Sequence, residues 1–221
     1  MLYVSAVYED YRIMPSLQEH QLRVASVAQL IADASAIQID TETVVKACIF
    51  HDMGNIIKSD LALFPAFVEE KGIEYWEKVK KEYKEKYGPD EHLATIAIAK
   101  EIGLSDRVRE LIDSIGFSKL AQTLKSNDLE KFIVEYADMR VSPTGVVSVD
   151  ERLREGRARY EGKKSGFDVQ RYSEMVDAIY IIEKSIFLQS SLTPEDITDE
   201  RVVPLMEKMR TSSIKSFNLD S

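Results

Sequence analysis

The chain has 221 residues, 44% of them hydrophobic, and a formal net charge of −9. The length suits one large domain, and the acidic surplus argues against duplex DNA or RNA as a partner. No run of about 18 apolar residues occurs, so no membrane span is expected. The start, MLYVSAVYEDYR, lacks a basic region before an apolar core, and the lone Cys48 suits a reducing compartment. These features predict a cytoplasmic protein.

The first strong helical pattern begins at Pro15 and continues for about five turns. Its apolar side is formed by Leu17, Val24, Val27 and Ile31. His20 falls on the same side. Because helical periodicity continues along most of the chain and few stretches alternate as strands do, we predict an all-α fold.

A second helix is predicted to begin near Thr41. Its apolar residues are Val44, Val45, Cys48 and Ile49. Gly54 fits a helix stop, because glycine is common just after the last turn. His51 and Asp52 are therefore expected on the last turn, where both side chains can face one ion.

Further helices are predicted at about 74–87, from Asp90 onwards, and at about 105–114, 117–125, 128–141, 149–160, 170–188 and 200–217. We expect a single domain over residues 1–221, with a core of about 16–142 and a helical extension of about 149–217. The loop at 162–166 is the best candidate for a boundary between them. The helices after residue 170 either close the core or form the contact of a homodimer.

Two of the three histidines lie where a metal site would place them. One His-Asp pair is a weak signal, and a lone histidine on an apolar face is more often a core residue than a ligand. However, His20 occupies an inward position one helix before His51 and Asp52. Asp138 lies on the apolar side of a later helix, where a buried, unpaired carboxylate costs several kcal/mol unless a cation accompanies it. Imidazoles and carboxylates from different helices are the ingredients of a divalent-metal site.

The order of these residues resembles the HD-domain superfamily of metal-dependent phosphohydrolases. The segments EHQLRV around His20, ACIFHDMG around His51 and YAD ending at Asp138 carry the resemblance, which covers residues 16–142. It implies an all-α, HD-domain-like helical bundle with His20, His51, Asp52 and Asp138 as the metal ligands. Two imidazoles and two carboxylates suit Fe, Mn, Co, Ni or Zn better than Mg or Ca, which prefer oxygen ligands.

His92 falls in the first turn of a predicted helix, a position that favours anions. In the resembling proteins with two metals, a histidine in this region binds the second ion, and another histidine follows some tens of residues later. No histidine occurs here between Gly103 and Ala137. We therefore expect one divalent transition metal, with His92 contacting substrate phosphate, donating a proton or adding a weak ligand. The alternative is a helix-end residue packed on Ile96.

Several of the resembling one-metal proteins share a glutamate one turn after the His-Asp pair, and this glutamate helps to activate water. Asn55 occupies that place here, and the lysine of a Gly-Lys variant is also absent. Water activation is then assigned to Asp52, to Glu91 or to the metal alone. The catalytic candidates are accordingly Asp52, His92 and Glu91.

Several cations are candidates for binding substrate phosphate. Eight basic and five acidic residues occur between residues 140 and 171, so a basic enclave lies within an acidic chain. The candidates are Arg23, Lys58, His92, Arg140, Arg152 and Arg159. The alternative for Arg23 is a surface ion pair, and the alternative for the helix carrying Arg152 and Arg159 is an ion-paired ladder.

The sequence thus favours a phosphohydrolase that acts on a small phosphorylated molecule, with a nucleotide as the favoured substrate. Two hypotheses of other classes remain open. One is a non-catalytic sensor that binds a metal and a nucleotide, and it is favoured by Asn55. The other is a purely structural helical protein whose histidines belong to the core.

Overall fold

The computed structural model describes residues 3–62, 71–160 and 169–214, apart from the side chains of Arg159 and Tyr160. Within these residues the architecture is all-α, as predicted. The described helices are α1 (Val4–Asp10), α2 (Pro15–Asp33), α3 (Thr41–Phe50), α4 (Gly72–Tyr87), α5 (Glu91–Glu101), α6 (Asp106–Ser114), α7 (Leu120–Ser126), α8 (Leu129–Met139), α9 (Val149–Tyr160), α10 (Val169–Phe187) and α11 (Asp199–Arg210). Short 3-10 helices cover Asn55–Ile57, Phe117–Lys119 and Pro194–Asp196.

Side-chain caps fix where three of these helices begin. Asp40 accepts a hydrogen bond from the backbone of Thr43 at the start of α3, and Asp90 accepts one from Leu93 at the start of α5. Asp128 caps α8 in the same way. An Asp that satisfies otherwise unpaired N–H groups in the first turn stabilises a helix by about 1 kcal/mol. The caps therefore fix the starts of the helices that lead to His51, His92 and Asp138.

Helix α2 is the centre of the packing, since it contacts α3, α8 and α11. From Gln21 to Ala32 most of its residues are buried, including polar ones such as Ser26 and Gln29. A helix that is buried on nearly all sides belongs to the interior of a bundle. His20 stands at the edge of this buried segment and is positioned by it.

Two short elements were not predicted from the sequence. Helix α1 packs against α3, where the Tyr8 hydroxyl donates to the backbone oxygen of Ile49 over 2.7 Å. A hairpin of β1 (Val141–Ser142) and β2 (Gly145–Val146) pairs antiparallel, with Val141 opposite Val146. It occupies the break that the sequence predicts before α9.

The C-terminal helices contact the predicted core. Helix α10 packs on α7 and α8, and α11 packs on α2. The boundary predicted at 162–166 lies outside the described residues. The last helix, predicted to reach residue 217, ends earlier, at Arg210, where Thr211 is its C-terminal cap. In the described part of the chain, no helix combines the length and the apolar character needed to cross a bilayer.

Candidate metal centre

His51 presents one ring nitrogen to the protein and the other to the site. His51 is the C-terminal cap of α3 and Asp52 follows it, so the pair lies just beyond the last turn on which it was predicted. The side chain of His51 is 2% exposed, and its Nδ1 lies 2.7 Å from the backbone oxygen of Cys48. Because a carbonyl oxygen only accepts, Nδ1 carries a proton and donates it, which makes Nε2 the nitrogen available to a metal.

One oxygen of Asp138 lies close to both imidazoles. Asp138 Oδ1 is 3.1 Å from His20 Nε2 and 3.5 Å from His51 Nε2. The two rings have centroids 5.3 Å apart. Helices α2, α3 and α8 thus bring these three side chains together, as the order of the residues predicted.

Asp52 completes the group and is held by two neighbours. Its Oδ2 lies 3.9 Å from His20 Nε2 and 3.8 Å from His51 Nε2. Asn55 Nδ2 donates to the same oxygen over 2.5 Å, and the backbone N–H of Asp52 donates to Gln21 Oε1 over 3.2 Å. Since Gln21 is fully buried, it fixes the backbone of Asp52 against α2.

These residues fit a divalent metal. His20, His51 and Asp52 each offer a ligand atom within 4.8 Å of the others. The buried Nε2 of His51 has no hydrogen-bond partner among the described residues, and a buried nitrogen left in this way costs free energy unless something binds it. Together with Asp138, they supply two nitrogen and two carboxylate ligands, a set suited to a transition ion. We call these four residues the metal centre.

The charges of the metal centre are coupled. Burial would lower the pKa of His51, but Asp52 and Asp138 outweigh it and raise the pKa to about 9. The pKa values of both carboxyl groups are lowered in spite of burial, because the imidazoles stabilise their ionised forms. The two carboxylates therefore attract positive charge, which a proton on His51 supplies in part and a divalent ion supplies more fully.

Glu135 is a buried acid that the sequence analysis did not single out. It lies one turn before Asp138 and is fully buried. Its Oε2 accepts a hydrogen bond from the backbone N–H of Gly116 over 2.7 Å. Burial, and next the nearby Asp138, raise its pKa to about 8. Its position on the buried face of α8, three residues before Asp138, is the signal that could have identified it.

Gly54 brings the start of α5 against the segment that follows Asp52. A Cβ atom at Gly54 would lie 2.3 Å from the backbone oxygen of Glu91. The Gly54 N–H donates to Thr95 Oγ1 over 2.9 Å. The prediction that Gly54 serves as a helix stop is therefore corrected: its φ is −92°, and the glycine allows close packing of α5.

His92 lies one residue after Glu91 but does not join the four residues of the metal centre. Its Nε2 is 2.7 Å from Asp113 Oδ1 and 2.7 Å from Lys119 Nζ. Glu91 forms an ion pair of 3.2 Å with Lys58, whose charge also lowers the pKa of Asp52. Lys58 thus lies close enough to the metal centre for its charge to act on Asp52, and its predicted contact with substrate phosphate stays a prediction.

The arginines predicted to bind phosphate lie in different surroundings. Arg23 pairs with Asp199 over 3.2 Å, and Arg152 pairs with Glu155 over 3.4 Å along its own helix. These contacts match the ion-pair alternatives for both residues. The side chain of Arg159 lies outside the described residues.

Arg140 requires a correction, because it is buried. Its Nε donates to the Val147 oxygen over 2.5 Å, and its two other nitrogens donate to the Tyr136 hydroxyl and to the Pro194 oxygen. A guanidinium whose three nitrogens all donate inside the protein is not available to a substrate. Arg140 instead joins the end of α8 to the hairpin and to the segment before α11.

Comparison with known proteins gives one family. The sequence model of the HD domain matches residues 17–139, which is more than half of the chain. The match spans α2 to α8 and includes all four residues of the metal centre. No curated protein and no solved structure matches the chain significantly.

Proposed function

The chain belongs to the HD domain superfamily of metal-dependent phosphohydrolases, and we propose on this basis that it hydrolyses a phosphate ester of a small molecule, with a nucleotide as the favoured substrate. His20, His51, Asp52 and Asp138 would hold one divalent transition metal. The ion supplies Lewis acidity toward a phosphate oxygen and toward water when it is bound.

The observation that carries this proposal is the buried Nε2 of His51. The Cys48 carbonyl fixes the tautomer of the ring, and Nε2 faces Asp52 and Asp138 over 3.8 and 3.5 Å, without a hydrogen bond of good geometry among the described residues. A core histidine in a purely structural protein would instead have both nitrogens satisfied. This arrangement favours a metal ligand over the structural alternative.

The residues around the metal centre have separate tasks in the proposed reaction. Asn55 and Gln21 hold Asp52 in place, and Asp52 accepts the proton of the attacking water. His92 donates a proton to the leaving oxygen. Glu91 is the second candidate base, and its carboxylate is engaged in an ion pair of 3.2 Å with Lys58.

A non-catalytic sensor of a metal and a nucleotide is the second candidate function. Asn55 favours it, because the neutral amide uses an oxygen of Asp52 as acceptor and adds no second base beside it. Such a module would bind the same ligands without turnover.

Two assays of the purified protein distinguish these functions. Protein loaded with Mn, Co, Ni, Fe or Zn is incubated with phosphomonoesters, phosphodiesters and nucleotides, and His51→Ala serves as the inactive control. Phosphate release by the wild type alone supports the hydrolase. Nucleotide binding without release in metal-loaded protein supports the sensor, and failure to bind any metal supports the structural alternative.

A further inference from the structure

We propose that His92 and Lys119 form a subsite for the phosphate oxygens of the substrate, with Asp113 holding the two cationic groups in place. The inference rests on the proposed function, because it assigns a position to the phosphate group of the same substrate. It adds Lys119, which the sequence analysis did not identify. We call His92, Asp113 and Lys119 the phosphate cluster.

The three members of the phosphate cluster come from three elements and converge on one point. His92 lies in the first turn of α5, Asp113 near the end of α6, and Lys119 at the end of the 3-10 helix that precedes α7. Lys119 Nζ is 2.7 Å from His92 Nε2 and 3.3 Å from Asp113 Oδ1. It also donates to the backbone oxygen of Asp113.

The hydrogen bonds within the phosphate cluster compete with one another. The ammonium of Lys119 can only donate, so its bond to His92 requires an unprotonated Nε2. The bond of 2.7 Å between His92 Nε2 and Asp113 requires a proton on that same nitrogen. Asp113 Oδ1 is the acceptor for His92 Nε2 and also for Lys119 Nζ. A phosphate oxygen would give each of them an acceptor of its own, because phosphate carries several strong acceptors.

The hydrogen-bonding groups of the cluster also suit an anion. The contact of 2.7 Å between Lys119 Nζ and His92 Nε2 joins a donor to an acceptor only when Nε2 is unprotonated. A phosphate oxygen beside both groups would serve as acceptor for Lys119 and for a proton on Nε2, so that an anion adds an interaction that the cluster alone lacks. The pKa of Asp113 supports this arrangement: burial raises it, but His92 and Lys119 outweigh burial and lower it overall. Asp113 is therefore ionised, and its carboxylate holds Lys119 and His92 side by side.

Two contacts join the segments that flank the phosphate cluster to the segments that flank the metal centre. On one side, Gly54 follows Asp52 closely and touches Glu91, the residue before His92. On the other side, the Lys119 N–H donates to the Gly116 oxygen over 2.7 Å, and the Gly116 N–H donates to Glu135, one turn before Asp138. The chain segments that carry both carboxylates of the metal centre thus also fix the cluster.

The side chains of the phosphate cluster are partly exposed, unlike those of an ion pair that only stabilises the interior. The side chains of His92 and Lys119 are 28% and 29% exposed, so a small anion can reach them while the surrounding helices shelter them from bulk solvent. Partial shelter strengthens an ionic hydrogen bond relative to one on an open surface.

The test uses inorganic phosphate as the probe and the metal-loaded full chain. Lys119→Gln is compared with wild type and with Lys125→Gln, which removes an exposed lysine of α7 six residues away. Calorimetric titration should show phosphate affinity about 10- to 100-fold weaker in Lys119→Gln, since a hydrogen bond between charged groups is lost. Lys125→Gln should match wild type, and Lys119→Arg should retain most of the affinity. Metal content should be equal in all four proteins.

The outcomes separate this inference from the proposed function. If wild type hydrolyses phosphate esters and Lys119→Gln binds phosphate as tightly as wild type does, the subsite is wrong and the hydrolase stands. If Lys119→Gln lowers only the unfolding temperature, Lys119 is a structural tie and the inference fails. A metal-loaded wild type that neither binds phosphate nor releases it contradicts both proposals.

Discussion

The protonation of His51 is the feature through which metal binding and pH are linked. Its Nδ1 proton is held by Cys48, so the proton that the neighbouring carboxylates stabilise resides on Nε2. A metal must displace that proton, because both need the same lone pair. The pKa of about 9 therefore describes how firmly the metal-free site holds this proton, which a metal must displace.

Metal affinity is predicted to rise with pH. Between pH 7 and the His51 pKa of about 9, the affinity for Co or Zn should increase about tenfold per pH unit, since one proton is released on binding. Above that range it should level off. Chelator competition across a pH series measures the slope, and an affinity that does not change over this range would contradict the assignment of His51.

The metal-free protein should show the opposite trend in stability. A histidine whose folded-state pKa is raised from 6.5 to about 9 stabilises the fold fully below pH 6.5 and loses that contribution as pH rises through 9. The loss is on the order of 3 kcal/mol. Urea unfolding of chelator-treated protein across this range provides the control for the metal titration.

Some residues of the site could be predicted from the sequence and others could not. His20, His51, Asp52 and Asp138 lie on apolar helical faces or at a helix end, and these signals are local. The role of Lys119 depends on His92, 27 residues away. Arg140 was assigned to phosphate because a basic residue indicates charge but not burial, and one of its acceptors, Pro194, lies 54 residues away.

The packing of α5 against Gly54 is the contact between elements that matters most for the site. It holds Glu91 and His92 beside the segment after Asp52. Only a glycine leaves room for this approach, because a Cβ would overlap a backbone oxygen that cannot rotate away. The position of α5 relative to the metal centre therefore depends on the absence of a side chain at residue 54.

Gly54→Ala should destabilise the protein by about 1–3 kcal/mol, since α5 must move to accommodate the methyl group. Gly156→Ala is the matched control, because a Cβ at Gly156 meets no atom within 4 Å and alanine favours a helix. Denaturant unfolding compares the two. Equal stability of both variants would mean that α5 does not pack as described.

Most helices could be predicted from the sequence, whereas helix α1 and the short hairpin could not. Helix α3 begins at Thr41 as predicted, since the capping Asp40 and the apolar spacing are visible in sequence. Helix α1 has only seven residues and is held by contacts such as that of Tyr8 with Ile49. Tertiary contacts of this kind leave no local pattern, and the same holds for the two-residue strands.

In the whole molecule, the C-terminal helices close over the helices that carry the metal centre. Arg140 donates to the backbone of Val147, Pro194 and Ile197, and so ties α8 to the segment before α11. Helix α11 in turn packs on α2, which carries His20. The C-terminal part therefore supports the metal centre without supplying one of its four residues. The homodimer stays a prediction.

Arg140→Met should lower stability by about 2–4 kcal/mol, because buried carbonyl oxygens lose their donors. Arg157→Met removes an exposed arginine of α9 and should change stability little. Metal content and the KM for p-nitrophenyl phosphate should remain at wild-type values in Arg140→Met under folding conditions. A raised KM with unchanged stability would restore Arg140 as a phosphate ligand.

X-ray absorption spectroscopy and metal analysis of the purified protein determine whether the four residues of the metal centre hold one transition metal. We expect one ion per chain, bound by two imidazole nitrogens and by carboxylate oxygens. His51→Ala should lose the ion, and His92→Ala should retain it. Two ions per chain, no ion after loading, or full occupancy in His51→Ala would contradict the account.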